Sequence, residues 1–112
     1  MVLINWSDFE KVDLRIGTIV EVADFPQARK PAFKLMIDLG SEFGVKRSSA
    51  QITKRYSKEQ LLGKQVLCVV NFPSKQVGPF ISEVLTTGLV VGDGDVVLIS
   101  PDTKVENGAK LA

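Results

Sequence analysis

The feature that most limits the folds open to this chain is a train of short β-branched runs, each closed by a turn signal, with a single capped helical segment between the third and the fourth. In "DLRIGTIVEVADF", Leu14, Ile16, Thr18, Val20 and Val22 alternate with Arg15, Gly17 and Glu21. That period of two marks a strand buried on one face, and the glycine inside it predicts a bend or bulge. "AFKLMIDLG" reads as a second strand ended by the turn-prone "GSEFG", and "VKRSSAQI" as a third. "SKEQLLG" reads as a short helix: Ser57 and Gln60 make a capping box, Leu61 and Leu62 supply apolar contacts, and Gly63 ends it. "QVLCVVNF" predicts a buried fourth strand, "PSKQVGP" a loop, and "FISEVLTTGLVV" a fifth strand bent at Gly88. "GDGD" is a turn, "VVLIS" a short extra strand, and the last dozen residues an irregular tail. Five strands with one helix between the third and fourth have the connectivity of the OB-fold, a small, mainly-β barrel.

Ahead of the first strand, "SDFEKV" offers Ser7 and Glu10 as a second capping box. It predicts a short N-terminal helix with Trp6 and Phe9 turned inward. A length of 112 residues suits one domain spanning 1–112, and 45% hydrophobic residues suffice for one core. The lone cysteine, Cys68, sits in an apolar run and reads as a small buried hydrophobe. There is no apolar stretch long enough to span a membrane, and the N-terminus lacks the basic-then-apolar pattern of a signal peptide; a cytoplasmic location is the expectation.

Histidine is absent altogether. Serine–histidine and cysteine–histidine nucleophile pairs and histidine metal sites are therefore excluded within one chain. No convergent set of carboxylates, lysine and tyrosine takes their place. The expectation is a binding protein, not an enzyme, with no cofactor and no metal.

Net charge is only +1 but is unevenly spread. From Pro26 to Lys75, ten Lys/Arg face three acids, an excess of seven positive charges, while the remainder carries six net negative charges. Such a field suits an anionic partner for the middle of the chain. Four stretches within or beside it could carry function. In "ARKPAFK", Arg29, Lys30 and Lys34 surround Phe33, which suits a phosphate backbone and a stacked base; the alternative is a solvated loop with Phe33 in the core. In "VKRSSAQITKRY", the pairs Lys46–Arg47 and Lys54–Arg55 flank Ser48, Ser49, Ala50 and Gln51. If Ser48, Ala50 and Ile52 share one strand face, Ser49 and Gln51 share the other. Small residues there either admit a ligand or merely pack where bulk is not tolerated. In "NFPSK", Asn71 could cap a strand, with Phe72 exposed and Lys75 extending the basic field. In "GPFISEVL", Phe80 and Ile81 follow a loop, and Glu83 could pair with a basic residue or hold a ligand amine.

These stretches resemble the family of tRNA-binding OB domains, free-standing or appended to aminoacyl-tRNA synthetases. The likeness runs over nearly the whole chain: "DLRIGTIVEV", "KLMIDLG", "SAQITKRYSKEQLLGKQVLCVVN" and "SEVL" occur in order. Within that family, "SSAQITKRY", "VVNFP" and "SEVL" are similar to the CsaA-type export-related chaperones. The resemblance implies a cytoplasmic homodimer that binds unfolded or precursor polypeptides and the translocation ATPase of the secretion pathway. It places a peptide pocket at Ser48, Ser49, Ala50, Gln51, Asn71, Phe72, Phe80, Ser82 and Glu83. As the alternative it implies tRNA or other RNA as partner, bound by a basic face of Arg29, Lys30, Lys34, Lys46 and Lys75; the charge pattern adds Arg47, Lys54 and Arg55. Dimer contacts are implied at both termini, with Trp6, Phe9, Val105 and Leu111 as candidates. The chain departs from the tRNA-binding members in reading "ARKP" before the second strand, and Ser82-Glu83-Val84-Leu85 in the fifth. Peptide and RNA surfaces are expected to be separable by mutation.

Overall fold

The computed structural model describes residues 1–112. Strand β1, Leu14–Asp24, is the spine of the molecule and pairs antiparallel with β2, Phe33–Asp38, on one side and β4, Gln65–Val69, on the other. Strand β3, Val45–Ala50, adds outside β2, and β7, Leu85–Thr86, adds outside β4, so the order is β3-β2-β1-β4-β7. The outer strands come together and nearly close a five-stranded antiparallel barrel, as the sequence predicts. Its core is formed by Ile19, Leu35, Ile37, Leu39, Ile52, Leu61, Val66, Cys68, Val84 and Leu98, among others.

The predicted alternation along β1 does not hold: Ile16 and Gly17 are both buried, Ile16 beside the C-terminal tail and Gly17 and Ile19 against the core. A bulge between Ile19 and Glu21 then inserts one residue, so Val20 faces solvent and Val22 packs against the core. Such an insertion moves every later side chain to the other face. Gly17 is not the bulge. A Cβ there would lie 2.5 Å from Ile37 Cγ2 and 2.8 Å from Leu39 Cδ2, so the glycine is required for close approach of β1 to β2.

Helix α2, Lys58–Leu61, forms where expected: Ser57 Oγ accepts from the Gln60 amide, and Gln60 Oε1 accepts from the Ser57 amide. Leu61 is fully buried, and Gly63 turns the chain in the left-handed region with φ +86°. The N-terminal helix α1, Trp6–Glu10, is capped two residues earlier than expected. Asn5, not Ser7, is the N-cap, and Asp8 closes the reciprocal box. The helix buries none of its residues: Trp6 is 68% exposed and Phe9 half-buried, not turned into the core.

The expected fifth strand is broken into three. "PSKQVGP" is not a plain loop: β5, Lys75–Val77, pairs with β6, Phe80–Ser82, as a hairpin. The chain then bends so that the amides of Glu83 and Val84 both donate to the Arg47 carbonyl, before β7 resumes pairing with β4. Beyond Thr87, β8, Gly88–Gly92, and β9, Asp95–Leu98, form a second hairpin around the "GDGD" turn. The tail runs beside β1: Ala109 O accepts from the Ile16 amide, and Leu14 O from the Leu111 amide.

Candidate binding site

The pleat of β3 decides which of its residues can meet a ligand. Burial alternates from Ser48 to Ile52: Ser48, Ala50 and Ile52 are buried, Ser49 is half-buried and Gln51 exposed. The two faces sort as the sequence reading proposed, and the Ser48/Ala50 face belongs to the core. Ser48 is 0% exposed and its hydroxyl lies 2.8 Å from Thr86 Oγ1 across the barrel closure. Ser48 therefore lines no ligand surface, and Ala50, though 7% exposed, reaches only the hollow between β3 and β7.

Ser49 and Gln51 form one wall of a groove of about 520 Å³. The broken fifth strand supplies Ser82, Glu83, Val84 and Leu85, and the β4–β5 connection supplies Phe72, Pro73 and Lys75. Phe72 is 55% exposed, held out by the turn after β4. Five of the nine pocket candidates meet here: Ser49, Gln51, Phe72, Ser82 and Glu83. Asn71 stands apart as a strut: its side-chain amide donates to Lys11 O at 2.6 Å and its Oδ1 accepts from the Asp13 amide at 3.0 Å. Phe80 lies edge-on to Phe25, ring centroids 5.5 Å apart, with the Arg47 guanidinium 5.9 Å from its own centroid. Pro73, Val77, Val84 and Leu85 were not among the sequence candidates. Leu85 belongs to "SEVL", and the break in the fifth strand turns it outward, 47% exposed.

Glu83 is the only carboxylate in the groove, and it is already engaged. Its Oε1 accepts from the Arg47 amide at 3.0 Å and from Arg47 Nε at 3.2 Å, and Lys46 Nζ stands 4.0 Å from Oε2. Burial alone would raise the Glu83 pKa, but these bonds and charges together hold it below the usual carboxylate range. Ser82 Oγ accepts from the Ser49 amide at 3.1 Å. Glu83 and Ser82 thus brace the barrel closure from beneath the groove.

The basic residues divide into engaged and free sets. Lys54 donates to Asp93 O at 2.8 Å, and Arg55 grips Asp95 through two bonds of 2.8 and 2.9 Å. These two tie the β8–β9 turn to the barrel while staying at the surface. Lys46 and Arg47 are spent on Glu83, and Lys34 lies over the Phe25 ring. Phe33 is core and offers no stacking face. Arg29, Lys30 and Lys75 have no acidic partner. Arg29 and Lys30 line a second groove of about 450 Å³, which shares Ser49, Gln51 and Val77 with the first. The two expected surfaces are therefore contiguous, not separate.

At the termini, Trp6, Phe9, Val12 and Leu111 line an apolar hollow of about 480 Å³, beside an exposed run from Met1 to Ile4. Val105 is not part of it; both its main-chain groups bond the Gln65 side chain.

A nearly closed antiparallel barrel with an amphipathic groove beside its closure defines a small binding domain of OB type. The family model for the tRNA binding domain matches residues 14–110, and the chain belongs to that family, on its CsaA-type branch. The structure of chaperone CsaA from Bacillus anthracis superposes with a TM-score of 0.94 at 51% identity, covering 99% of this chain and 100% of that one. CsaA chaperone protein from Picrophilus torridus gives 0.92 at 50% identity, covering 98% and 100%. Methionine–tRNA ligase of Pyrococcus horikoshii is 38% identical over 112 residues, 99% of this chain, but the match spans only 15% of that enzyme's length.

Proposed function

We propose that this protein is a chaperone-like binder of unfolded or precursor polypeptides, acting in the cytoplasm and delivering them to the translocation ATPase of secretion. The observation that carries the reading is the composition of the groove. An exposed phenylalanine, outward-facing Leu85 and half-buried Val77, with the edge of core Val84 between them, stand beside polar Ser49 and Gln51, and the one carboxylate is already paired with Arg47. An amphipathic groove, with Phe72, Val77 and Leu85 offering apolar contact among polar neighbours, suits capture by burial without sequence-specific reading. No histidine, metal ligand cluster or activated nucleophile accompanies it, so the proposed role is holding, not turnover. The apolar hollow at the termini supports a homodimer in which each copy covers the other's Trp6 and Leu111. The likeness to CsaA chaperones over their whole length points the same way. Dilution of a chemically denatured, aggregation-prone client into buffer containing the protein tests the reading. Light scattering is expected to fall in proportion to the protein added, and unchanged scattering would remove it.

A second reading, RNA binding, is favoured by Arg29 and Lys30, which carry no acidic partner in the adjoining groove, and by the family's tRNA-binding membership. Charge reversal at Arg29 and Lys30 is its cleanest test. Reversal at Lys46 and Arg47 would also release Glu83 and loosen the barrel closure.

A further inference from the structure

The barrel is closed only in part. Between β3 and the broken fifth strand, the main-chain contacts are the Glu83 and Val84 amides on Arg47 O, while the Ser49 amide is met by a side chain, Ser82 Oγ. β3 and β7 are the two edges of the five-stranded sheet and share no ladder. One step further along, Gln51 has no hydrogen-bond partner at all: its amide, its carbonyl and its side-chain amide are all unpaired within the protein. β3 ends at Ala50, but side-chain burial goes on alternating through Ile52, as along a continuing strand. By the pleat, the Gln51 main chain points away from β2, as Arg47 and Ser49 do. Gln51 lies at the junction of the apolar groove, the Arg29–Lys30 groove and a third hollow. That third hollow, about 460 Å³, is the open seam itself, with Ser49 to Ile52 on one wall and Leu85 to Gly88 on the other.

We infer that an extended polypeptide segment adds to this seam as a strand, exchanging main-chain hydrogen bonds with Gln51 while alternate side chains reach the Phe72–Leu85 groove. This rests on the polypeptide-binding reading and gives its mode of recognition. An unpaired N–H and C=O on one residue of a sheet edge are complementary to another peptide main chain, which offers both an acceptor and a donor at the spacing of a strand. A phosphodiester backbone offers acceptors only. Charge adds a preference: Lys75 on the rim and Arg29 and Lys30 beyond Gln51 are unpaired cations, and no free carboxylate faces them, so segments carrying acidic residues beside apolar ones fit best. Main-chain pairing also makes capture tolerant of sequence, since every polypeptide carries the same groups.

The test uses a fluorescein-labelled peptide of about ten residues in which leucine or valine alternates with serine or threonine, ended by glutamates, with single N-methyl groups placed at each position in turn. Removing one paired N–H is expected to weaken binding about tenfold at one or two positions of a single parity, and less than about twofold at their neighbours. In the protein, Gln51→Ala, which keeps the main chain, is expected to bind within about threefold of wild type; Gln51→Pro, which removes the N–H, is expected to lose about tenfold. Should the proline variant fail to fold by circular dichroism, the N-methyl series decides alone. Tight peptide binding indifferent to every N-methyl group overturns strand addition but leaves polypeptide capture standing. Absence of any peptide binding removes both. Displacement of the peptide by oligouridylate that loses its effect in Gln51→Pro would assign the seam to nucleic acid and overturn the proposal.

Discussion

Ser48 Oγ lies 2.8 Å from Thr86 Oγ1, and this hydroxyl pair joins the two edge strands where no main-chain ladder does. Ser48 has no access to water, so its hydroxyl stays dry and unsatisfied when Thr86 loses its own, whereas Thr86 is half-buried and keeps Cys68 as a partner. Ser48→Val or Thr86→Val alone is expected to cost about 1–3 kcal/mol, and the double substitution less than the two single costs combined. Urea denaturation of the four proteins measures the coupling.

Glu83 makes the closure sensitive to acid. Its folded pKa is depressed below the unfolded value, so its contribution to stability is complete above the ordinary glutamate range and is lost as pH falls through the folded pKa. Between neutral pH and about pH 3, wild type should lose more stability than Glu83→Gln, in which no carboxylate remains to protonate at this position. Denaturant midpoints across that range check it; parallel curves for the two proteins would show that Glu83 does not brace the seam.

Gly17 tests packing, not backbone freedom. Its φ is not positive, yet a Cβ would meet Ile37 and Leu39 at less than 3 Å. Gly17→Ala is expected to destabilise by about 1–3 kcal/mol through overpacking, although alanine suits a strand no worse than glycine. Thermal unfolding reads the loss directly.

Cys68 is expected to be inert in the folded protein. Burial pushes its thiol up to about 12, only partly offset by the hydrogen bond with Thr86, and the residue has no surface exposure. A thiol reagent at pH 8 should label it only as fast as the protein unfolds, which a denaturant series makes visible.

The barrel and its helix were legible because they rest on local signals. The Ser57–Gln60 box, the turn glycine after Leu61 and the period-two runs each act over a few residues. What escaped notice depends on distant partners. The bulge beyond Ile19 follows from pairing with β2, and the break in the fifth strand from the Arg47 carbonyl, 36 positions earlier than Glu83, capturing two amides. Asn5 and Ser7 are both competent caps, and local sequence does not choose between them. At the site, the period of β3 separated Ser49 and Gln51 from Ser48 and Ala50, but composition could not say which pair faced inward. In the basic stretch, charge along the sequence does not reveal that Asp95 and Glu83 come from later in the chain to pair with Arg55 and Arg47, or that the Asp93 carbonyl accepts from Lys54.

Polypeptide capture by apolar contact is separated most sharply from phosphate binding by anisotropy of a labelled, permanently unfolded polypeptide of near-zero net charge, read at low and high salt. Phe72 is exposed, so Phe72→Ala should leave the fold intact. Affinity of the wild type should change by less than about threefold between about 50 and 500 mM NaCl, while Phe72→Ala lowers it about tenfold at both. A fall of several orders of magnitude with salt, together with indifference to Phe72, would contradict the groove's assignment and leave the basic residues as the true ligand surface.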